Sequence, residues 1–75
     1  MVEPRYVIEI FDEDHPNEAI ITTDWWLDKD DAIAWAKKIQ TMNVNLDYRL
    51  VQVDGYFEDE GYWMETSRKE IENAL

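Results

Sequence analysis

Tyr6-Val7-Ile8-Glu9-Ile10-Phe11 is a run of β-branched and aromatic residues broken by one charge, and it predicts a first strand. Alternation along a strand puts Tyr6, Ile8 and Ile10 on one face and Val7, Glu9 and Phe11 on the other. Asp12 to Asn17, which contains His15-Pro16, breaks the pattern as a polar loop. Ala19 to Leu27 resumes it as a second strand, with Ala19, Ile21, Trp25 and Leu27 opposite Ile20, Thr22, Asp24 and Trp26. The spacing suits an antiparallel hairpin with a long loop.

The period then changes. Ala32, Trp35, Ala36, Ile39 and Met42 recur at helical spacing with Asp30 and Lys37 opposite, which predicts a helix from Lys29 to about Thr41 packed through that stripe. Asp28 is placed as its N-cap, with Asp31 in the reciprocal capping position. Asp30 and Asp31 in the first turn and Lys37 and Lys38 in the last complement the helix dipole.

Beyond a polar connector, Asn43 to Asp47, the segment Tyr48 to Val53 predicts a third strand. Two turns compete for its end: Asp54-Gly55 is a strong two-residue hairpin signal, and Asp59-Glu60-Gly61 closes a longer hairpin. The second is preferred, because the first leaves Tyr56 and Phe57 in a very short segment before another breaker. Strand three then continues through Tyr56-Phe57, and strand four is Tyr62-Trp63-Met64-Glu65. Ser67 with Glu70 makes a capping box for a short C-terminal helix carrying Ile71, Ala74 and Leu75 on one side. The expected fold is α+β in the order ββαββα. It has a small antiparallel sheet of about four strands, one main helix on one face and a short C-terminal helix.

A sheet covered on one face should alternate apolar and polar residues, and the neighbours Trp25 and Trp26 break that rule. One of them must face away from the main helix. On this reading Val7, Phe11 and Ile20 accompany Trp26 on the second face. The plain outcome is that the C-terminal helix folds back and covers this face with Ile71 and Leu75. The functional outcome is an open apolar contact surface, for which tryptophan and tyrosine are the usual anchors.

Size sharpens that question. The 75 residues are read as one domain, 1–75. A chain so short buries only somewhat more than ~60% of its unfolded surface. With no cysteine, disulfides and thiolate zinc sites are excluded. Four tryptophans and 45% hydrophobic residues nevertheless predict a folded domain rather than an acidic disordered tail. A homodimer joined through the second face would bury a further core.

Charge removes several functions. A net charge of -11 repels phosphate backbones and anionic lipid surfaces, so direct nucleic-acid binding is not expected. No apolar run approaches the ~20 residues of a membrane span, and no basic segment followed by an apolar one marks export. Membrane association is therefore not expected, and the cytoplasm is the expected compartment.

Candidate chemistry is sparse. Asp12, Glu13, Asp14 and His15 form an oxygen-rich loop, but it lacks the ligand spacing and turn glycine of a calcium loop, and a solvated hairpin loop is the plainer reading. Ser67 is explained by its cap, and one loop histidine does not make a triad. Both glycines, Gly55 and Gly61, lie in turn contexts rather than in a phosphate loop. No catalytic residue, metal site or cofactor is expected. The acidic stretch Phe57-Glu58-Asp59-Glu60, beside Tyr56 and Tyr62, is either a solubilising turn or a contact surface for a basic partner.

The first functional expectation is a non-catalytic protein-interaction module whose partner is itself or a basic protein. Its candidate contact residues are Phe11, Trp25, Trp26, Tyr56, Glu58, Asp59, Glu60 and Tyr62. The second is an acidic inhibitor or nucleic-acid mimic that blocks a basic groove on a DNA- or RNA-handling protein. Duplex DNA carries one charge per ~1.7 Å, so a face about 25 Å long presents roughly seven phosphates on the near side, a density this chain can match if its carboxylates share one face. In size and acidity the chain resembles small phage-encoded inhibitors, a likeness of composition that covers no motif. The third is a small metal-binding protein or enzyme using Asp12, Asp14 and His15.

Overall fold

A computed structural model of the chain describes residues 3–43, 45–59 and 61–75. Its elements are β1 (Glu3–Asp12), β2 (Ile21–Thr22), α1 (Lys29–Gln40), β3 (Leu46–Phe57) and β4 (Trp63–Ile71). They form one antiparallel sheet in the order β2-β1-β3-β4. β2 and β3 both run antiparallel to β1 and hence parallel to each other. Their connection must cross over β1, and α1 makes that crossing.

α1 forms where the pattern predicts it. The Asp28 carboxylate accepts the Asp30 N–H at 2.8 Å, satisfying one of the free donors of the first turn. Ala32 and Ala36 are completely buried against the sheet, which lets the helix axis approach closely. Trp35 and Ile39 pack beside them as the stripe requires. Met42 lies beyond the helix and is exposed, and Ile33 contributes to the cluster instead.

The order of elements is ββαββ, so the expected ββαββα arrangement is corrected at the C-terminus. Residues 67–71, read from the sequence as the start of a helix, extend β4 along β3, with Ser67 opposite Asp54 and Ile71 opposite Leu50. The reason is non-local. β3 is central, and its backbone groups from Leu50 to Asp54 need partners on the side away from β1. A helix of this length is marginal alone, whereas a strand here completes those hydrogen bonds. Ser67 accordingly caps nothing: its hydroxyl donates to the Asp54 carboxylate at 3.3 Å. After Ile71 the chain turns through Asn73, at φ 61°, and lays Ala74 and Leu75 on the helix-side core.

The second strand is also corrected, from Ala19–Leu27 to Ile21–Thr22. Between the pairs Glu9–Thr22 and Tyr6–Trp26, β1 advances three residues and the edge segment four. The extra residue is absorbed at Thr23, whose Oγ1 accepts the Ile8 N–H at 2.9 Å. One inserted residue reverses every side chain after it. Trp26 therefore joins Tyr6 on the helix side, its ring centroid 5.4 Å from that of Trp35, and Trp25 emerges on the opposite face. This exchanges the two tryptophans relative to the sequence reading.

Of the two competing turns, the later one closes the β3–β4 hairpin. The Glu58 N–H donates to the Tyr62 carbonyl at 2.8 Å, the Gly61 N–H donates to the Glu58 carbonyl at 2.9 Å, and Gly61 takes φ 88°. Asp54-Gly55 instead lies within β3, at a register shift against β4.

The core is thus split by the sheet. The helix side holds Ile8, Ile10, Tyr48 and Leu50 under Ala32 and Ala36, with Ile71 and Leu75 at its margin. The other side holds Val7, Val51 and Val53 with Trp63. Ile71 and Leu75 do not cover this second side as the plain outcome required; they belong to the first. Among the described residues no helix is long and apolar enough to cross a membrane.

A candidate interaction face

The second sheet face carries no helix, yet its valines are sheltered. Alternation places Arg5, Val7, Glu9 and Phe11 of β1 on it, beside Arg49, Val51 and Val53 of β3 and Arg68 and Glu70 of β4. All three arginines of the chain lie here and are used as roofing. The Arg5 guanidinium carbon is 4.5 Å from the Trp25 ring centroid, 4.6 Å from Trp63 and 5.1 Å from Phe57. Trp25 and Trp63 also meet each other, with centroids 4.8 Å apart. They start from segments separated by three strand spacings, about 14 Å, so they close over the two strands between.

Gly55 makes this possible. A Cβ there would stand 2.5 Å from the Trp63 ring and against the Met64 carbonyl, so the indole lies flat on the bare backbone of β3. A glycine inside a strand run is therefore the sequence signal for an aromatic ring seated across it; the preferred reading carried strand three through Gly55 but seated no ring there.

At the other end of this face the Arg49 guanidinium stacks 3.9 Å from the Phe11 centroid. Its Nε lies 3.1 Å from Asp47 and 3.8 Å from Glu70. Arg68 reaches over β3, 3.4 Å from Glu9, and pairs with Glu65 at 2.7 Å. Exposed pairs of this kind contribute only about 0.2–1 kcal/mol each, but their aliphatic stems cover apolar surface. Val7, Val51 and Val53 are at most 4% exposed beneath them.

The candidate contact residues separate accordingly. Trp26 packs in the helix-side core and is removed from the surface set. Phe11 is buried under Arg49, at the end of β1 remote from the hairpin. Trp25, Tyr56, Glu58, Asp59 and Tyr62 are exposed, and all but Trp25 belong to the end of the β3–β4 hairpin; Glu60 lies outside the described residues. Phe57, opposite Trp63 and 52% exposed, links Trp25 to that tip through Arg5. Tyr56 and Met64 form the exposed pair on the reverse side of the hairpin. Arg5 and Trp63 were absent from the candidate set, and Phe57 entered only as the start of the acidic stretch; the alternation that puts Arg5 on the face of Val7 was the available signal for the first.

The β1–β2 loop holds no comparable arrangement. The Asp12 carboxylate accepts the Asp14 N–H at 2.9 Å, and the His15 N–H donates to the Asp12 carbonyl at 3.0 Å, so Asp12 serves the turn. Among the described residues no three histidine, cysteine or acidic side chains gather as metal ligands.

Compared with protein-family models, curated proteins and solved structures, the chain has no match in any of the three.

Proposed function

We propose that this protein is a non-catalytic interaction module of the cytoplasm that docks on a basic protein through the end of its β3–β4 hairpin. One observation carries the reading: exposed Trp25, Tyr56, Phe57, Tyr62 and Met64 gather at the end of the molecule where Glu58 and Asp59 also stand. Apolar anchors beside carboxylates suit a partner that offers both an apolar patch and cations. Long-range attraction by a net charge of -11 speeds that encounter, and the aromatic side chains supply the desolvated contact.

A homodimer built through the second sheet face finds less support, because the valines it would bury are already roofed by Arg5, Arg49 and the two tryptophans. The mimic reading also finds less support. Glu9, Asp47, Glu65 and Glu70 are matched by arginines, and the other described carboxylates are spread over the end of β1 and the β1–β2 loop, the approach to α1 and its first turn, Asp54 of β3, the hairpin tip and Glu72 after β4.

The test is affinity capture from an extract of the source organism, run with the natural chain and with a Phe57→Ala, Glu58→Lys, Asp59→Lys variant. A basic protein retained by the first and lost by the second is the expected result. Equal retention by a variant shown to be folded would refute the docking surface. Sedimentation of the purified chain as a stable dimer would favour self-association instead.

A further inference from the structure

Building on the reading of this end as a docking surface, we propose that the slot between Trp25, Phe57 and Trp63 is a guanidinium-binding site, which an arginine side chain of the partner enters in place of Arg5. Three rings surround one cation at 4.5, 4.6 and 5.1 Å, all inside the ~6 Å range over which an aromatic face attracts a cation. A guanidinium is planar and weakly hydrated, so it stacks on such faces where an ammonium stays solvated. Two of its three walls reach solvent: Trp25 and Phe57 are 50% and 52% exposed although both contact Arg5. Glu58 and Asp59 follow Phe57 directly and are exposed, so the potential at its mouth favours an incoming cation.

Arg5 is fixed by its backbone, which pairs within β1 opposite Val53, so exchange swings its side chain aside and gives up the contacts that side chain now makes. It acts as a resident competitor. The slot stays filled without a partner, and the apparent affinity for a guest falls by the fraction of time the resident is out.

The four tryptophans provide the assay, since Trp25 and Trp63 border the slot while Trp26 and Trp35 stack on the opposite side of the sheet. The ¹⁵N-labelled full chain is titrated with acetyl-Gly-Arg-Gly-amide, and with the citrulline peptide as an uncharged probe of the same shape. Saturable movement of the Trp25 and Trp63 indole N–H signals is expected, with Trp26 and Trp35 unmoved and no response to citrulline. The Arg5→Ala variant should bind the arginine peptide ~10-fold more tightly if the resident fills the slot about 90% of the time. No saturable shift, equal movement of all four indoles, an equal response to citrulline, or a folded Arg5→Ala variant that binds no tighter would each overturn the proposal. If that variant does not fold, the titration of the natural chain decides alone. Partner capture that depends on Glu58 and Asp59, without any guanidinium response, leaves the docking surface standing and removes the slot.

Discussion

Replacing Gly55 by alanine puts a methyl group 2.5 and 2.8 Å from two carbons of the Trp63 indole and against the Met64 backbone carbonyl. The carbonyl belongs to the β3–β4 ladder and cannot swing away, and the indole is held by Arg5 and Trp25. Relief therefore requires the ring to lift from β3 or the two strands to part. Overpacking of this kind costs about 1–3 kcal/mol, and a conflict with backbone places Gly55→Ala at the upper end, about 3 kcal/mol. At about 0.05–0.15 kcal/mol per residue, a chain of 75 residues is stable by about 4–11 kcal/mol, so this is a large share. In a domain this small each kcal/mol moves Tm by about 4–8 °C, which gives a fall of about 12–24 °C. Gly61→Ala is the internal comparison. Nothing lies within 4 Å of the added methyl, but φ is +88°, so the cost is conformational and about 1 kcal/mol. Urea unfolding followed by far-ultraviolet circular dichroism measures both, and the indole signals of Trp25 and Trp63 should move only in Gly55→Ala. A Gly55→Ala variant within about 0.5 kcal/mol of the natural chain would show that Trp63 is not seated on β3, and the roof over the valines would lose its keystone.

Three further substitutions probe the other elements. Asp28→Ala removes the acceptor of the Asp30 N–H and should cost about 1 kcal/mol in urea unfolding, with Asp28→Asn recovering most of it. Ala36→Leu should destabilise by about 1–3 kcal/mol or more in a thermal melt, because Ala36 is completely buried where α1 meets the sheet; little or no loss would mean that the helix does not approach so closely. Ser67→Val should leave stability unchanged within about 0.5 kcal/mol or raise it, since an exposed β4 position favours a β-branched residue; a loss of about 1 kcal/mol would instead reveal a helix cap.

The legible parts of the fold were those set by near neighbours. α1 was recoverable because its cap, its terminal charges and its apolar stripe all lie within fourteen residues of sequence, Asp28 to Thr41. The two faces of β1 followed from alternation alone, and the hairpin turn at residues 58–62 followed from the cost of isolating Tyr56 and Phe57. The errors share another origin. The slip at Thr23 depends on a hydrogen bond to Ile8, fifteen residues away, and that single insertion exchanged the faces of Trp25 and Trp26. Ser67 and Glu70 had the local spacing of a cap, but the unpaired side of β3 claimed them for a strand. The candidate surface was half visible: Tyr56, Glu58, Asp59 and Tyr62 were marked by composition at a turn, whereas Phe11 and Trp26 could be removed only once their coverings were known.

Sequence alone therefore determined what short-range physics dictates: the main helix and its ends, the two faces of β1, the acidic tip, and a charge that repels phosphate. Tertiary structure decided which tryptophan faces outward, what the C-terminal residues become, and that Arg5, Phe57 and Trp63 join Trp25 in one cluster. Those outcomes depend on backbone groups and side chains meeting across strands, and the free energy of such a meeting resides in the partner as much as in the residue. Gly55 can be read into a strand from its neighbours, but the indole that lies on it is known only from the fold.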